Sequence, residues 1–264
     1  MTFLILFLVA VVISSLGFKK FIWFISLGYG YSIAGIGVAL MLIYNKSLSP
    51  LTGILCGLLI VYGLRLGGYL MIRELKSASY KSTLKNEVKD GSKMNFFIKV
   101  VIWLSCALLY VCEASPVWFR LKNGAPSDTT GIVGLCILIL GLVLESTADF
   151  TKNKYKKANP KRFCDVGVFK IVRCPNYLGE VLIWTGVFIS GCTVYYTGAL
   201  QWLAAIGGYI SIVYIMFGGA RRLELRQNKN YGNDPEYQTY VKKTPILLPL
   251  VPLYSVAKYK WLVG

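Results

Sequence analysis

Histidine is absent from the 264-residue chain, which removes the usual general base and the commonest metal ligand of proteins. Serine–histidine catalysis and histidine-ligated metal centres are therefore excluded. No G-x-G-x-x-G follows a strand pattern and no G-x-x-x-x-G-K-S/T occurs, so neither a Rossmann nucleotide site nor a P-loop is supported. The seven cysteines have no paired metal spacing and lie mostly in or beside apolar runs. They are interpreted as small apolar residues, without a disulfide framework or a metal site.

Acidic residues are scarce as well: 12 Asp and Glu stand against 29 Lys and Arg, and 55% of the residues are hydrophobic. A helix needs about 20 apolar residues to cross the ~30 Å core of a bilayer. The sequence therefore predicts an all-α, polytopic membrane protein formed by one domain over 1–264. Its seven predicted spans lie near 2–18, 21–43, 50–72, 95–113, 131–148, 178–197 and 200–219.

Two shorter features belong to the same membrane interpretation. The run 247–254 is too short and too rich in proline to span, which favours a re-entrant or interfacial segment. The Gly-xxx-Gly spacings at Gly53/Gly57 and Gly63/Gly67 predict close packing between helices.

The net charge of +17 has two explanations, nucleic-acid binding or the bias of cytoplasmic loops toward Lys and Arg. With the N-terminus outside, the predicted inner segments hold 24 Lys and Arg and the outer loops hold three. This asymmetry predicts a cytoplasmic C-terminus and a topological origin for most of the charge. The host membrane is expected to be a bacterial inner membrane or an endoplasmic reticulum, and no nucleic-acid partner is expected.

Charged groups inside a bilayer are expensive and tend to face a cavity, a partner or a substrate path. Glu145 and Asp149 are four residues apart and share one helix face. They are either neutralised by the lysines of "KNKYKK" or form a site where carboxylates orient ribose hydroxyls while cations hold phosphates. Arg65 lies deep in the third run and requires an acidic or phosphate partner, and Glu113 is a further carboxylate at the end of the fourth run.

The stretch "IVRCPNYLGEVLIW" at 171–184 places polar groups directly before an apolar run. Asn176 is predicted to cap a helix that starts at Tyr177. Capping alone does not explain Glu180, which lies one turn inside the apolar run. A helix N-terminus also attracts anions, so Arg173 is either an interfacial residue or an anchor for a pyrophosphate or a ribose.

The tail after the last run has the same mixed character. Tyr237 and Tyr240 lie close to the membrane and could be simple anchors at its interface. Arg221, Arg222 and Glu224 lie just below the last run and could instead close over a ligand.

These segments together resemble the steroid 5-alpha-reductase family, in the family's order and over roughly 55–250. The segments are "YGLRLGGYLMIRE", "LESTADFTKNKYKK", "RCPNYLGE" and "EYQTYVKKTPILLP". The resemblance implies a seven-helix fold that holds NADPH at the cytoplasmic side and transfers hydride to an activated carbon–carbon double bond of a steroid, isoprenoid or other lipid. It implies that the cofactor is framed by Asp149, Arg173, Asn176, Tyr177, Glu180, Arg222, Tyr237 and Tyr240, with looser matches at Arg65, Arg73 and Lys156.

The resemblance also places Tyr62 where the steroid reductases have a tyrosine that polarises the substrate carbonyl. The chain departs from the family where the motif histidine is Cys174 and where the second helix carries no acidic residue to work with that tyrosine. Without histidine, a tyrosine or a protonated glutamate must donate to the carbonyl oxygen. Tyr62 is the first candidate for this catalytic role and Glu113 the second.

Two other functions fit parts of the pattern. Membrane methyltransferases of the isoprenylcysteine or phospholipid type also combine an Arg-His-Pro-x-Tyr element with a Tyr-rich tail, and they use S-adenosylmethionine. The other is a transporter or a non-catalytic lipid-binding protein. Secondary transporters usually show inverted repeats and broken helices at the midplane, and no such symmetry is visible in the sequence. The expected partners of the reductase are a lipid-like substrate and membrane lipids, and the protein is expected to be a monomer.

Overall fold

The computed structural model describes residues 1–76, 94–195 and 198–263. Helix makes up 76% of the structure, and the described ranges contain no strand, which confirms the all-α fold class. The α-helices of these ranges are α1 (Thr2–Ser14), α2 (Leu27–Ile43), α3 (Pro50–Lys76), α4 (Phe96–Lys122), α5 (Thr129–Ala158), α6 (Pro175–Gly191), α7 (Ala199–Tyr231) and α8 (Pro235–Lys243).

A helix lies at each of the seven predicted apolar runs. Five helical segments are long and apolar enough to cross a membrane: α2 with its preceding 3₁₀ turn (Phe21–Ile43), α3, α4, α5 and α7. Helix α1 with its own 3₁₀ turn is a shorter apolar segment (Thr2–Phe18), and α6 has 17 residues. The architecture is that of a polytopic membrane protein. The orientation of its termini stays a prediction.

Three helices continue well beyond the predicted spans. Helices α4, α5 and α7 end at Lys122, Ala158 and Tyr231. Polar segments rich in Lys, Arg, Glu and Gln continue α5 and α7, since these residues have good helix propensity. Helix α4 instead continues through buried, mostly apolar residues and includes Pro116. Arg120, expected in a loop, is instead fully buried on α4, where Nη1 donates to the Ser190 carbonyl at 2.6 Å. Most of the polar loop 73–94 lies outside the described residues.

Local chemistry explains where several helices begin. The Asn95 side chain accepts from the Phe97 backbone N–H at 2.9 Å before α4. In the same way, Asp234 accepts from the Glu236 N–H at 2.9 Å before α8. Each side chain satisfies a backbone donor that a helix leaves without an intrahelical partner.

The chain divides into two compact units, of which the first comprises Met1–Ile132 and Val187–Gly208. Its helices α2 and α3 meet backbone to backbone, because a Cβ on Gly63 would lie 2.2 Å from the Gly30 carbonyl oxygen. The predicted close packing at Gly63/Gly67 is therefore present. At Gly53 and Gly57, by contrast, an added Cβ would have no described atom of a neighbouring element within 4 Å.

The second unit comprises Val133–Gly186 and Tyr209–Gly264. Helices α5 and α6 touch where a Cβ on Gly179 would lie 2.7 Å from the Glu145 backbone nitrogen, and again where one on Gly186 would lie 2.4 Å from that of Leu138. A hydrophobic core joins the start of α6, the C-terminal half of α7 and the segment after α8. That the whole chain acts as one domain stays a prediction.

Candidate functional site

A buried ion pair lies at the centre of the polar residues of the second unit. Arg173, just before α6, donates from Nη2 to Glu224 Oε1 on α7 at 3.0 Å, and the two side chains are 0% and 1% exposed. The same nitrogen donates to the Tyr254 carbonyl, and Glu224 Oε2 accepts from the Val256 N–H at 2.9 Å. The pair thus joins α6, α7 and the segment that follows α8.

Several buried polar atoms beside this pair are left unsatisfied within the part of the chain that the structure describes. Arg173 keeps two N–H-bearing nitrogens, Nε and Nη1, without a hydrogen-bond partner there. Asn176 Oδ1 and Gln227 Oε1 are likewise buried without a donor. Most buried polar groups are hydrogen-bonded, and those that are not call for a ligand, an ion or water as an explanation. The donors of Arg173 suit an anionic group.

The chain enters α6 through Cys174 and Pro175. The helix begins at Pro175, so the prediction that Asn176 caps it is wrong: Asn176 lies in the first turn. Proline fits the first helical position because the N–H it lacks would have no intrahelical partner. The backbone before the helix is fixed on the tail, since Cys174 N–H donates to the Ile246 carbonyl at 3.0 Å. Complete burial raises the pKa of the Cys174 thiol to about 12, so it stays protonated.

The two predicted tail tyrosines lie on α8 and pack in one aromatic cluster. Phe163 has its ring centroid 5.2 Å from that of Tyr237 and 5.4 Å from that of Tyr240. Tyr237 donates to Asn228 Oδ1 at 2.8 Å and Tyr240 to the Phe169 carbonyl at 2.6 Å. Burial raises the pKa of Tyr237 to about 12, and the positive charge of Arg173 partly opposes this shift.

The acidic residues predicted from α5 and α6 are largely inside the unit. Glu145 and Glu180 are each 4% exposed, and Asp149 is half-buried. Glu180 Oε1 accepts from Trp184 Nε1 at 3.1 Å, one turn further along α6. Tyr177 packs beside Gly219 of α7, whose Cβ position lies 3.3 Å from the tyrosine ring.

Lys156 and Arg222 have other surroundings. Lys156 Nζ closes the C-terminal end of α5 by donating to the Pro160 carbonyl at 3.1 Å and to the Tyr231 hydroxyl at 2.9 Å. Arg222 is exposed on α7. Their predicted contacts with a cofactor stay predictions.

The remaining predicted residues belong to the first unit. Tyr62 of α3 is completely buried and donates to the hydroxyl of Tyr29 on α2 at 2.9 Å. Glu113 is 3% exposed on α4, and Arg65 and Arg73 are half-buried on α3.

Tyr29 was missed at the level of sequence. It supplies, from the second helix, a polar partner for Tyr62 where that helix has no acid. Its only sequence signal is a tyrosine inside an apolar run, and pairing between two different helices leaves no spacing pattern.

The fold and the site together define a polytopic α-helical membrane protein that holds a buried arginine–glutamate pair among tyrosines at the polar end of its helices. Residues 6–244 match the model of a protein family of unknown function, DUF1295, and the chain belongs to that family. It is also 35% identical over 57 residues to the steroid 5-alpha-reductase DET2 of Arabidopsis thaliana.

This match covers 21% of the chain and 22% of the plant reductase, so the chain spans about a fifth of the length of that relative. No solved structure matches the chain. This partial match supports a relationship to the steroid 5-alpha-reductases, which the sequence motifs also resemble.

Proposed function

We propose that this protein is a membrane oxidoreductase that uses NADPH to reduce an activated carbon–carbon double bond of a steroid, isoprenoid or other lipid. The observation that carries the proposal is the buried guanidinium of Arg173, which has a carboxylate partner and two further nitrogens without described acceptors. The partial similarity to a steroid 5-alpha-reductase supports the same class of reaction.

The residues present fit a phosphorylated dinucleotide. In the proposal, Nε and Nη1 of Arg173 bind a phosphate and the Asn176 side chain accepts from a ribose hydroxyl or an amide N–H, which satisfies the unpartnered atoms of these two residues. Glu224 holds the guanidinium in place through its own bond at 3.0 Å. Tyr237 and Tyr240 frame the cofactor, and their raised pKa values keep both hydroxyls neutral near an anion.

NADPH, when bound, supplies the hydride, which adds to the β carbon of an enone. Tyr62 is proposed to donate to the carbonyl oxygen, where negative charge develops. One well-placed donor of this kind is worth roughly 10² to 10³ in rate. In the resting protein, Tyr29 accepts the hydrogen bond of Tyr62 and fixes the orientation of that hydroxyl. Burial of both rings excludes water from the pair.

The test is a thermal melt of the detergent-purified protein with NADPH, with NADH or with S-adenosylmethionine. A ligand that binds only the folded state at 100 times its Kd stabilises it by about 2.7 kcal/mol. We expect NADPH to raise Tm by several degrees and S-adenosylmethionine to leave it unchanged. Stabilisation by S-adenosylmethionine alone would instead assign the protein to the membrane methyltransferases.

Asn176→Ala is the matching site variant, and Asn159→Ala is its control because Asn159 is exposed beyond the end of α5. We expect the NADPH-induced shift to shrink in the first variant and to persist in the second. Equal shifts in both variants would remove Asn176 from the proposed site.

A further inference from the structure

The segment after α8, residues 245–263, has an inner side that is fixed to its own unit, and we name it the C-terminal strap. The strap is irregular, yet Ile246, Leu247, Val256 and Leu262 are buried in the hydrophobic core of the second unit. Its backbone is bonded at both ends, by the Cys174 N–H to the Ile246 carbonyl at 3.0 Å and by the Tyr214 hydroxyl to the Trp261 carbonyl at 2.6 Å. The inner side of the strap is therefore attached to the second unit by both hydrogen bonds and apolar contacts.

Its outer side has an unusual composition. Large apolar or aromatic side chains point away from the protein, and two lysines accompany them. No acidic residue occurs anywhere in 245–263. The large exposed side chains are Leu250 (101%), Val251 (44%), Tyr254 (40%), Trp261 (65%) and Val263 (71%), and the exposed lysines are Lys258 and Lys260.

Leu250 combines a strained backbone conformation with a fully exposed side chain. Its φ of +65° lies in the left-handed region, which costs a non-glycine residue roughly 1–2 kcal/mol. The backbone is therefore strained where it presents a fully exposed leucine. An environment that covers the leucine side chain would recover the transfer free energy of that side chain.

The position of the strap indicates which environment this is. Trp261 stacks on Tyr214 of α7, with ring centroids 6.1 Å apart and planes at 27°. Tyr214 lies within the apolar part of a helix that is long enough to cross a membrane. The outer side of the strap is thus continuous with the apolar surface of a helix that is long enough to cross a membrane. Tryptophan, tyrosine and lysine are the residues typical of the boundary between lipid and water.

We propose that the outer side of the C-terminal strap is a lipid-docking surface that lies in the bilayer interface and binds anionic headgroups. Leu250, Tyr254 and Trp261 enter the acyl boundary. Lys258 and Lys260 contact acidic headgroups, each contributing about 1 kcal/mol near an anionic surface. Two such lysines correspond to a preference of roughly 30-fold for acidic over neutral lipid.

The experiment places the full-length protein in nanodiscs and measures quenching of tryptophan emission by brominated phosphatidylcholine. Emission of Trp261 is obtained as the difference between the native protein and Trp261→Phe. We expect lipid brominated near the headgroup end of the chain to quench this difference at least twofold more strongly than lipid brominated near the chain terminus. No quenching by either lipid would overturn the proposal, and so would a strap covered by a second copy of the chain in cross-linking.

The charge is tested by adding about one-third phosphatidylglycerol to the nanodiscs. We expect quenching of Trp261 to increase in the native protein and to lose this dependence in Lys258→Gln/Lys260→Gln. The matched control is Lys154→Gln/Lys157→Gln, which removes two exposed lysines of α5 and should leave the dependence intact. If quenching of Trp261 in the native protein does not change when phosphatidylglycerol is added, the proposal that Lys258 and Lys260 contact acidic headgroups is overturned. All substituted side chains are exposed, so native melting temperatures are expected throughout.

Discussion

Removing Glu224 should destabilise the protein far more than removing a glutamate from an exposed pair. In Glu224→Ala the buried guanidinium of Arg173 loses its carboxylate, and the Val256 N–H loses an acceptor at 2.9 Å. Breaking a buried pair on one side typically costs about 3–5 kcal/mol, because a charge is left uncompensated away from water. We expect a loss of about 4 kcal/mol in the free energy of unfolding.

The control is Glu236→Ala. Glu236 pairs with Arg162, but these side chains are 66% and 39% exposed, and a pair of this kind contributes at most about 1 kcal/mol. The assay is titration of the purified protein with SDS in mixed micelles, followed by circular dichroism. Comparable losses in the two variants would refute the conclusion that the Arg173–Glu224 pair is shielded from water.

A double variant separates the charge from the loss of volume. Arg173→Met/Glu224→Leu replaces both charges with apolar side chains, and such replacements are often neutral or stabilising. We expect the double variant to be more stable than Glu224→Ala alone. If it is less stable than the single variant, the cost at this position comes from lost packing rather than from an unpaired charge.

Three further outcomes are expected. Gly179→Ala should lower the free energy of unfolding by about 1–3 kcal/mol, because the added methyl group would push α5 away from α6. Gly57→Ala should leave the melting temperature unchanged or raised, since no described atom of a neighbouring element lies near that position. Equal effects of the two substitutions would contradict the close contact at Gly179. The pKa of Tyr237 is raised to about 12 against an ordinary value of about 10, so this group stabilises the folded protein below pH 10 and loses that contribution as the pH rises toward 12. The Tm of Tyr237→Phe should therefore fall less steeply over this pH range. Identical pH profiles of Tm in the native protein and the variant would exclude a contribution from Tyr237. Tyr62→Phe removes the hydrogen bond to Tyr29 and should lower the free energy of unfolding by about 1 kcal/mol in the same assay. An unchanged free energy of unfolding would indicate that the hydroxyl of Tyr62 is exposed to water.

The long helices α2, α3, α4, α5 and α7 were predictable because each contains an apolar run long enough to cross a bilayer. Their ends were not, since polar residues of good helix propensity continue α5 and α7 past any hydropathy limit. Arg120 shows the same difficulty: a charge beyond an apolar run predicts a loop, yet its hydrogen bonds allow it to be buried on α4.

The sequence allowed the residues of the candidate site to be selected, but it did not show which of them contact one another. Arg173 and Glu224 were both singled out, but they are 51 residues apart and no spacing pattern links them. Asn176 was misplaced because the helix begins at Pro175, two positions earlier than a capping asparagine at 176 requires. The Tyr29–Tyr62 bond depends on how α2 packs on α3, which glycine contacts decide.

The contact between Arg173 and the carbonyl of Tyr254 orders events during synthesis. The arginine leaves the ribosome 81 residues before the group to which it donates. Until that late segment emerges, the guanidinium must remain hydrated or hold only Glu224. The buried cluster is therefore completed only once Tyr254 has been made, which is after the helices up to Tyr231 have been synthesised.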